Sequence, residues 1–386
     1  MSPRPALSTR RLRGKSSAAA TRGPASAAPA SHAAVFSLIE LMIGLSLGLF
    51  TLLAMSQAYI AFHFQHRTGN GGMAAQTGAM SALFAIERDL QQAGRGFGDR
   101  RVLGCDARQN AGASMLLVPV RIARGTGGAP DRLDILSGNG MGAPARLGTA
   151  LAPGAPAIAL ASTLDMHVAD MLALQEAGRP CALVRIATVD SALRVSRAAL
   201  DGSALQADGD AVAAGGYSAD AMAFNLGRLT RVSYAIRGTV LQRTLTSYDG
   251  ASATTQDVAD NIVSLRAQYG FDMRPNENPR VEVQSWGQAI LDADGSGTTG
   301  DRGDWQRLAG VRLAVVARSP FRQGTGDGCN TTVAGAANAP GWQLAGPDGV
   351  LASSDISLAH LPDWKCYRYR VYETVVPLRN VVWGAP

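Results

Sequence analysis

Lysine is almost missing from this chain of 386 residues: Lys15 and Lys365 are the two that occur, and arginine supplies the rest of the positive charge. C-x-x-C pairs are missing too, which argues against zinc-ribbon and thioredoxin-like readings. There is no G-x-S-x-G, no Walker loop and no H-E-x-x-H, and His32, His63, His66, His167 and His360 are scattered. Gly94-Arg95-Gly96-Phe97-Gly98 has the glycines of a phosphate loop, but it follows a helical pattern and reads as a helix stop. With no catalytic constellation, the chain reads as a non-enzyme. Aromatics make up 6% of residues, while glycine numbers 44 and proline 18, which points to a loop-rich, largely non-helical body. A hydrophobic share of 46% excludes a wholly disordered chain.

Acidic residues are absent from positions 1–35, where Arg4, Arg10, Arg11, Arg13, Lys15 and Arg22 lie. The formal net charge is +6 and the pI about 9.4. The entire excess sits in this Ala-, Ser- and Pro-rich leader, and the rest of the chain is formally neutral. The charge is therefore a topology signal, and it argues against nonspecific nucleic-acid binding by the body. Arg368 and Arg370 remain as a local basic pair.

Charge of either sign is absent from Leu41 to His66. A helix over Leu41–Phe62 would be roughly 33 Å long at ~1.5 Å per residue, enough to span a bilayer core. Basic residues before the run place the N-terminus in the cytoplasm and the body outside. A cleaved secretory signal is excluded by order, because the small-residue stretch Ser31–Ala34 precedes the apolar run. Glu40 stands at the start of this run. A carboxylate in a membrane helix costs on the order of 2–3 kcal/mol at mid-membrane and less near the end. It either has a function or rests in the interface beside the positive helix end.

After the run, His66-Arg67-Thr68-Gly69-Asn70-Gly71-Gly72 predicts a break or loosening of the helix. Helical spacing resumes at Met80, Leu83, Ile86 and Leu90. Residues 66–96 thus read as the amphipathic second half of a stem, after a span over 36–65. Residues 97–386 form the head. Strands are expected over Met115–Val120, Leu133–Leu136, Ala157–Ala161, Ala182–Val189, Ile262–Tyr269, Val311–Arg318 and Tyr367–Val376. A hairpin is expected from Leu229–Ile236 and Thr239–Leu245 around Arg237-Gly238. The Ala-, Gly- and Asp-rich stretch 201–227 reads as a surface loop. The fold class is α+β: a long N-terminal helix, membrane-spanning in its first half, then a large β-rich, loop-rich head.

Cys105, Cys181, Cys329 and Cys366 allow three disulfide connectivities. An oxidising, periplasmic body favours two bridges, and Cys105–Cys181 with Cys329–Cys366 closes the shorter loops. Four reduced thiols would require a cytosolic body. Asp292-Ala293-Asp294-Gly295-Ser296-Gly297 matches the start of an EF-hand calcium loop, with oxygens at positions 1, 3 and 5 and glycine at 6. Position 12 is Gly303, so Ca2+ binding would use Asp292, Asp294, Ser296 and Asp301 or Asp304. The competing reading is a solvated Asp/Gly turn. No other cofactor is expected.

Phe36-Ser37-Leu38-Ile39-Glu40-Leu41, set after a basic leader, resembles the type IV prepilin signature, a class III signal. Glu87–Gly94 followed by Leu103-Gly104-Cys105, and then Asp260–Gly270, Val311–Ser319 and Tyr369–Asn380, are similar in order to PilW-like minor pilins. The resemblance implies cleavage by a prepilin peptidase between Val35 and Phe36, N-methylation of Phe36, and subunit packing guided by Glu40. Val35 stands where that family usually has Gly. It further implies a minor pilin that helps initiate type IV pilus assembly and sits at the pilus base or tip. The implied partners are other minor and major pilins, the inner-membrane assembly machinery and membrane lipid. The implied location is the bacterial inner membrane, single-pass, with the head in the periplasm, and then the pilus. A type II secretion pseudopilin shares the same N-terminal logic. A pilus-tip adhesin or DNA-uptake head is the alternative from another class.

Overall fold

One helix, α1, runs without a break over Leu38–Leu90, 53 residues. The computed structural model describes residues 37–97, 99–110, 113–140, 144–197, 215–248, 253–274, 282–323, 329, 331–334, 339–346 and 350–382. The chain divides into two units, Met1–Phe62 and His63–Pro386.

In the first unit, Leu38–Ile60 is a stretch of 23 residues long and apolar enough to cross a membrane. At ~1.5 Å per residue it measures about 35 Å, slightly more than a hydrocarbon core. None of it is buried by other parts of the protein.

In the second unit the expected break at His66–Gly72 does not occur; the helix passes straight through it. Each helical glycine costs roughly 1 kcal/mol relative to alanine. Gly71 has a packing reason for its place, since a Cβ there would lie 2.7 Å from Ser319 Oγ and 3.3 Å from the Phe321 ring. Ala75, Ala79, Ala82, Leu83, Ile86 and Leu90 are buried along one face. The alanines let the helix backbone approach the sheets closely. Met80, expected on that face, is 56% exposed on the other side. The helix ends at Leu90, and turns at 91–96 lead to the head.

The head's first strands are β1 (Cys105–Asn110), β2 (Ala113–Leu117), β3 (Val120–Ala123), β4 (Arg132–Ser137) and β5 (Ala145–Arg146). They are followed by β6 (Ala157–Ala159), β7 (Met171–Gln175), β8 (Ala182–Ser191), β9 (Arg194–Arg197) and β10 (Met222–Gly227). Next come β11 (Thr230–Arg237), β12 (Val240–Ser247), β13 (Thr254–Asp260), β14 (Ile262–Phe271) and β15 (Ser285–Gly287). A short helix α2 (Arg302–Gln306) precedes β16 (Leu308–Arg318). The chain then forms β17 (Gly341–Ala345), β18 (Leu351–Asp355), β19 (Tyr369–Pro377) and α3 (Arg379–Val382).

These strands form three sheets and a hairpin. The first sheet runs β2-β1-β8-β7-β10-β5, with β9 paired to β8 and β6 to β9. The second is β13-β12-β11-β4-β3, the third β15-β14-β16-β19, and β17 pairs β18. The main core packs the α1 face against the second and third sheets, with Leu133, Tyr234, Leu265 and Leu313 at its centre. A second core lies within the first sheet, around Ile158, Leu172 and Val184. A third covers the far face of the third sheet with Trp342 and Ile356.

Two expectations are corrected here. Met115–Val120 is two strands, because Pro119 has no N–H to offer a ladder. The supposed loop 201–227 ends in β10, whose Phe224 and Leu226 are buried; residues 201–214 lie outside the described residues.

Candidate functional site

Ser37 opens α1. Its Oγ accepts a hydrogen bond from Ile39 N at 3.3 Å, and its carbonyl accepts from Glu40 N at 2.9 Å. Glu40 therefore lies in the first turn, beside the positive end of the helix dipole. It is exposed, and so are the apolar side chains that follow: Leu38 is 79% exposed, Phe50 70% and Ile60 67%. Apolar surface on this scale calls for lipid or for other apolar helices. Val35 and Phe36, the expected cleavage and methylation positions, lie outside the described residues.

In the second unit, the end of α1 is tied to the head through Asp89. Its Oδ2 accepts from Arg243 Nε at 2.6 Å and lies 2.7 Å from the Tyr234 hydroxyl, which also lies 2.9 Å from the Ala85 carbonyl. Tyr234 on β11 and Arg243 on β12 are directly opposite in register, so one cross-strand pair presents both donors. Burial first, and then the Asp89 hydrogen bond, push the Tyr234 hydroxyl well above its usual value, so it stays a donor. The Asp89 hydrogen bond likewise raises Arg243. Sequence reasoning missed this lock; its signal was an acid set among the core positions Ile86 and Leu90.

The opposite face of the same helix carries Met73, Met80 and Phe84, exposed by 69%, 56% and 69%. Their spacing of seven and then four residues puts them in one stripe.

Cys105 is joined to Cys181 and Cys329 to Cys366, and the described residues hold no free cysteine. The first bridge links the start of β1 to the residue before β8. The second ties the segment after β16 to the turn before β19. With separations of 76 and 37 residues, the chain-entropy model assigns each about 4 kcal/mol.

In the aspartate-rich segment, residues 294–300 are exposed and Asp304 is buried. Carboxylate oxygens of Asp292, Asp294 and Asp304 all lie within 4.8 Å of one another. Asp304 is fully buried and accepts from the amides of Ala293, Asp294 and Gly300. Asp292 Oδ2 accepts from Gly297 N at 2.9 Å. The Ser296 amide, the strongest influence on Asp294, holds that carboxyl below its usual range. Asp301 is not among the three converging carboxylates: it accepts from the Ser296 hydroxyl at 2.8 Å and caps α2 by accepting from Asp304 N. A Cβ at Gly303 would collide with the Asp294 carboxylate as it lies here. The loop is closed by Asp304 instead. Oxygen-only convergence of this kind suits a hard cation, while the three amide bonds already give Asp304 a structural role.

Residues 229–380 match the family model described as type IV pilus-assembly protein W. The matched segment starts at β11 and reaches α3, so it takes in the second sheet's hairpin and the whole third sheet. Over this region the chain is similar to a type IV pilus component, and the resemblance to PilW read from the sequence is shown there. Among solved structures it is similar to a type IV-like pilin from Thermus thermophilus, at 11% identity and a TM-score of 0.23, over 56% of this chain and 86% of that one. No curated protein matches.

Proposed function

We propose that this protein is a minor-pilin-type subunit that helps to start type IV pilus assembly and stays at the pilus base or tip. The observation that carries the reading is the exposed apolar surface of Leu38–Ile60 on a chain whose β-rich region is similar to a pilus-assembly family. In this reading the helix sits in the bacterial inner membrane, with the N-terminus in the cytoplasm and the head in the periplasm. Prepilin peptidase cuts between Val35 and Phe36, and Phe36 becomes the methylated terminus.

The work done is packing rather than turnover. Moving an apolar helix from lipid into a bundle of pilin stems exchanges one apolar environment for another, so hydrophobic energy alone cannot set its register. Glu40 supplies that register. Its carboxylate, unfavourable in an apolar bundle, is compensated by the α-amino group of a neighbouring pilin. A head this large, with three sheets of its own, suits a single terminal place better than a repeated one. Its partners are then other minor and major pilins and the inner-membrane assembly machinery.

The test is Glu40→Ala in cells that make pili. The variant is expected to remain in the membrane fraction at normal level and to be depleted from sheared pili by about tenfold or more, the scale set by losing a compensated buried charge. Equal recovery of variant and parent in sheared pili would contradict the role given to Glu40.

A further inference from the structure

Between α1 and β19 runs a groove of about 990 Å³. On the helix it is bounded by Gly69, Gly72 and Gln76, which share one face at spacings of three and four. Nothing lies within 4 Å of where a Cβ would stand on Gly69 or Gly72, so the missing side chains leave the groove its width. On the sheet it is bounded by Arg368, Tyr369, Arg370 and Val371. Consecutive side chains of a strand point to opposite faces. A groove touched by four residues in a row therefore follows the edge of β19 rather than one of its faces.

That edge is unpaired. β19 is the last strand of the third sheet, and β16 is its partner. Ser319 N donates to the Arg368 carbonyl at 2.9 Å. The alternation of an antiparallel ladder then turns the backbone groups of Arg368, Arg370 and Tyr372 toward β16. Those of Tyr369, Val371 and Glu373 point the other way, where no described strand lies. The outward carbonyl just before them, on Tyr367, accepts from the Thr332 hydroxyl at 2.7 Å. A free edge of this kind can take on another strand through main-chain hydrogen bonds.

The charge along the edge sets the partner's chemistry. Arg368 and Arg370 are exposed, and no ion pair engages either among the described residues. No acid bounds the groove beside them. Their spacing of two puts both on one face of β19, with Arg370 opposite Ala317. Glu373, further along the strand, is taken by Arg312 at 2.7 Å. Asp355, opposite Gly341 in the β17–β18 hairpin at the rim, pairs with neither arginine.

We propose that this groove receives an extended acidic segment of a partner protein, added to the third sheet beside β19. Its main chain bonds to Tyr369 and Val371, and carboxylates two residues apart meet Arg368 and Arg370. A basic segment would be repelled, and a helix would leave the outward main-chain groups of β19 unserved. The assignment does not depend on filament assembly.

The experiment is calorimetry on the full chain in detergent, titrated in parallel with the capped peptides TEVEVT, TKVKVT and TEPEPT. The last keeps both carboxylates and lacks the two amide donors that would face β19. TEVEVT is expected to bind, about tenfold or more tightly than either control. Hydrogen exchange at the Tyr369 and Val371 amides is expected to slow when it does. Replacing both exposed arginines, Arg368→Ala with Arg370→Ala, is expected to weaken binding by about tenfold or more. Gly72→Leu puts a better helix former at an open position, so the fold is kept while the side chain fills the groove; binding is expected to be lost. No binding of TEVEVT, or binding unchanged in Gly72→Leu, would overturn the proposal. TKVKVT binding as well as TEVEVT would overturn the acidic assignment, and TEPEPT binding as well would overturn strand addition. A dimer of the full chain that excludes TEVEVT and is lost in Gly72→Leu would overturn it in favour of a second copy.

Discussion

Arg243 Nε lies 2.6 Å from Asp89 Oδ2, joining the last turn of α1 to the second sheet. Both side chains are mostly covered, 25% and 16% exposed. The Tyr234 hydroxyl lies on the same oxygen at 2.7 Å. Asp89→Ala would strand two donors near the core. It is expected to destabilise the head by about 2 kcal/mol, with Asp89→Asn costing less because it keeps an acceptor. Thermal unfolding of both variants measures the difference.

The stem's exposed stripe behaves oppositely. Met80→Ser and Phe84→Ser remove apolar surface that the head does not cover. Their effect on the unfolding midpoint of the isolated protein is expected to stay within about 0.5 kcal/mol. If the stripe continues the helix bundle of the pilus, both changes lower the amount of subunit recovered in sheared pili. Quantitative blotting of membrane and pilus fractions separates the two effects.

Asp304 is expected to be the most sensitive position of the aspartate cluster. It is fully buried and serves the amides of Ala293, Asp294 and Gly300. Asp304→Ala leaves those amides unserved and is expected to cost about 3 kcal/mol. Asp301→Ala removes a cap on the five-residue α2 and is expected to cost about 1 kcal/mol. Denaturant titration of the two variants gives the ranking.

Alkaline pH gives a further handle. Tyr269 accepts a hydrogen bond from Ile122 N at 2.5 Å, and burial pushes its hydroxyl up to about 12 from 10. The folded state therefore keeps this proton longer than the unfolded state. The contribution is fully present below about pH 10 and is lost as pH climbs toward 12. Tyr217, raised to about 12 chiefly by burial, titrates in the same window. Tyr269→Phe is expected to flatten part of the alkaline fall in melting temperature, on the order of 2 kcal/mol, while Tyr217 and the other raised tyrosines, Tyr234, Tyr248 and Tyr369, keep the remainder. Melting curves across that window measure the slope.

What could be read in advance was whatever depends on local chemistry. The uncharged stretch after Glu40 announces its helix, because few soluble structures tolerate so long a run without charge. Gly238, at φ 63, makes the tight turn between β11 and β12, and Arg237-Gly238 signals that hairpin in sequence. What local chemistry does not carry depends on distant partners. Gly69–Gly72 reads as a break because the compensating contact, Gly71 against Ser319 and Phe321, lies nearly 250 residues away. Small residues form the buried face of α1, so the spacing of its large apolar residues points Met80 to the wrong side. Asp301 and Asp304 are equal choices in sequence for closing the aspartate loop, and the α2 cap that engages Asp301 while Asp304 converges on Asp292 and Asp294 exists only in three dimensions.

Removal of the leader, followed by entry of the exposed helix into a filament, is checked by intact mass measurement of the protein recovered from sheared pili. The expected mass is that of a chain that begins at N-methylated Phe36, lacks residues 1–35, and retains both disulfides. An unprocessed chain in assembled pili would contradict it.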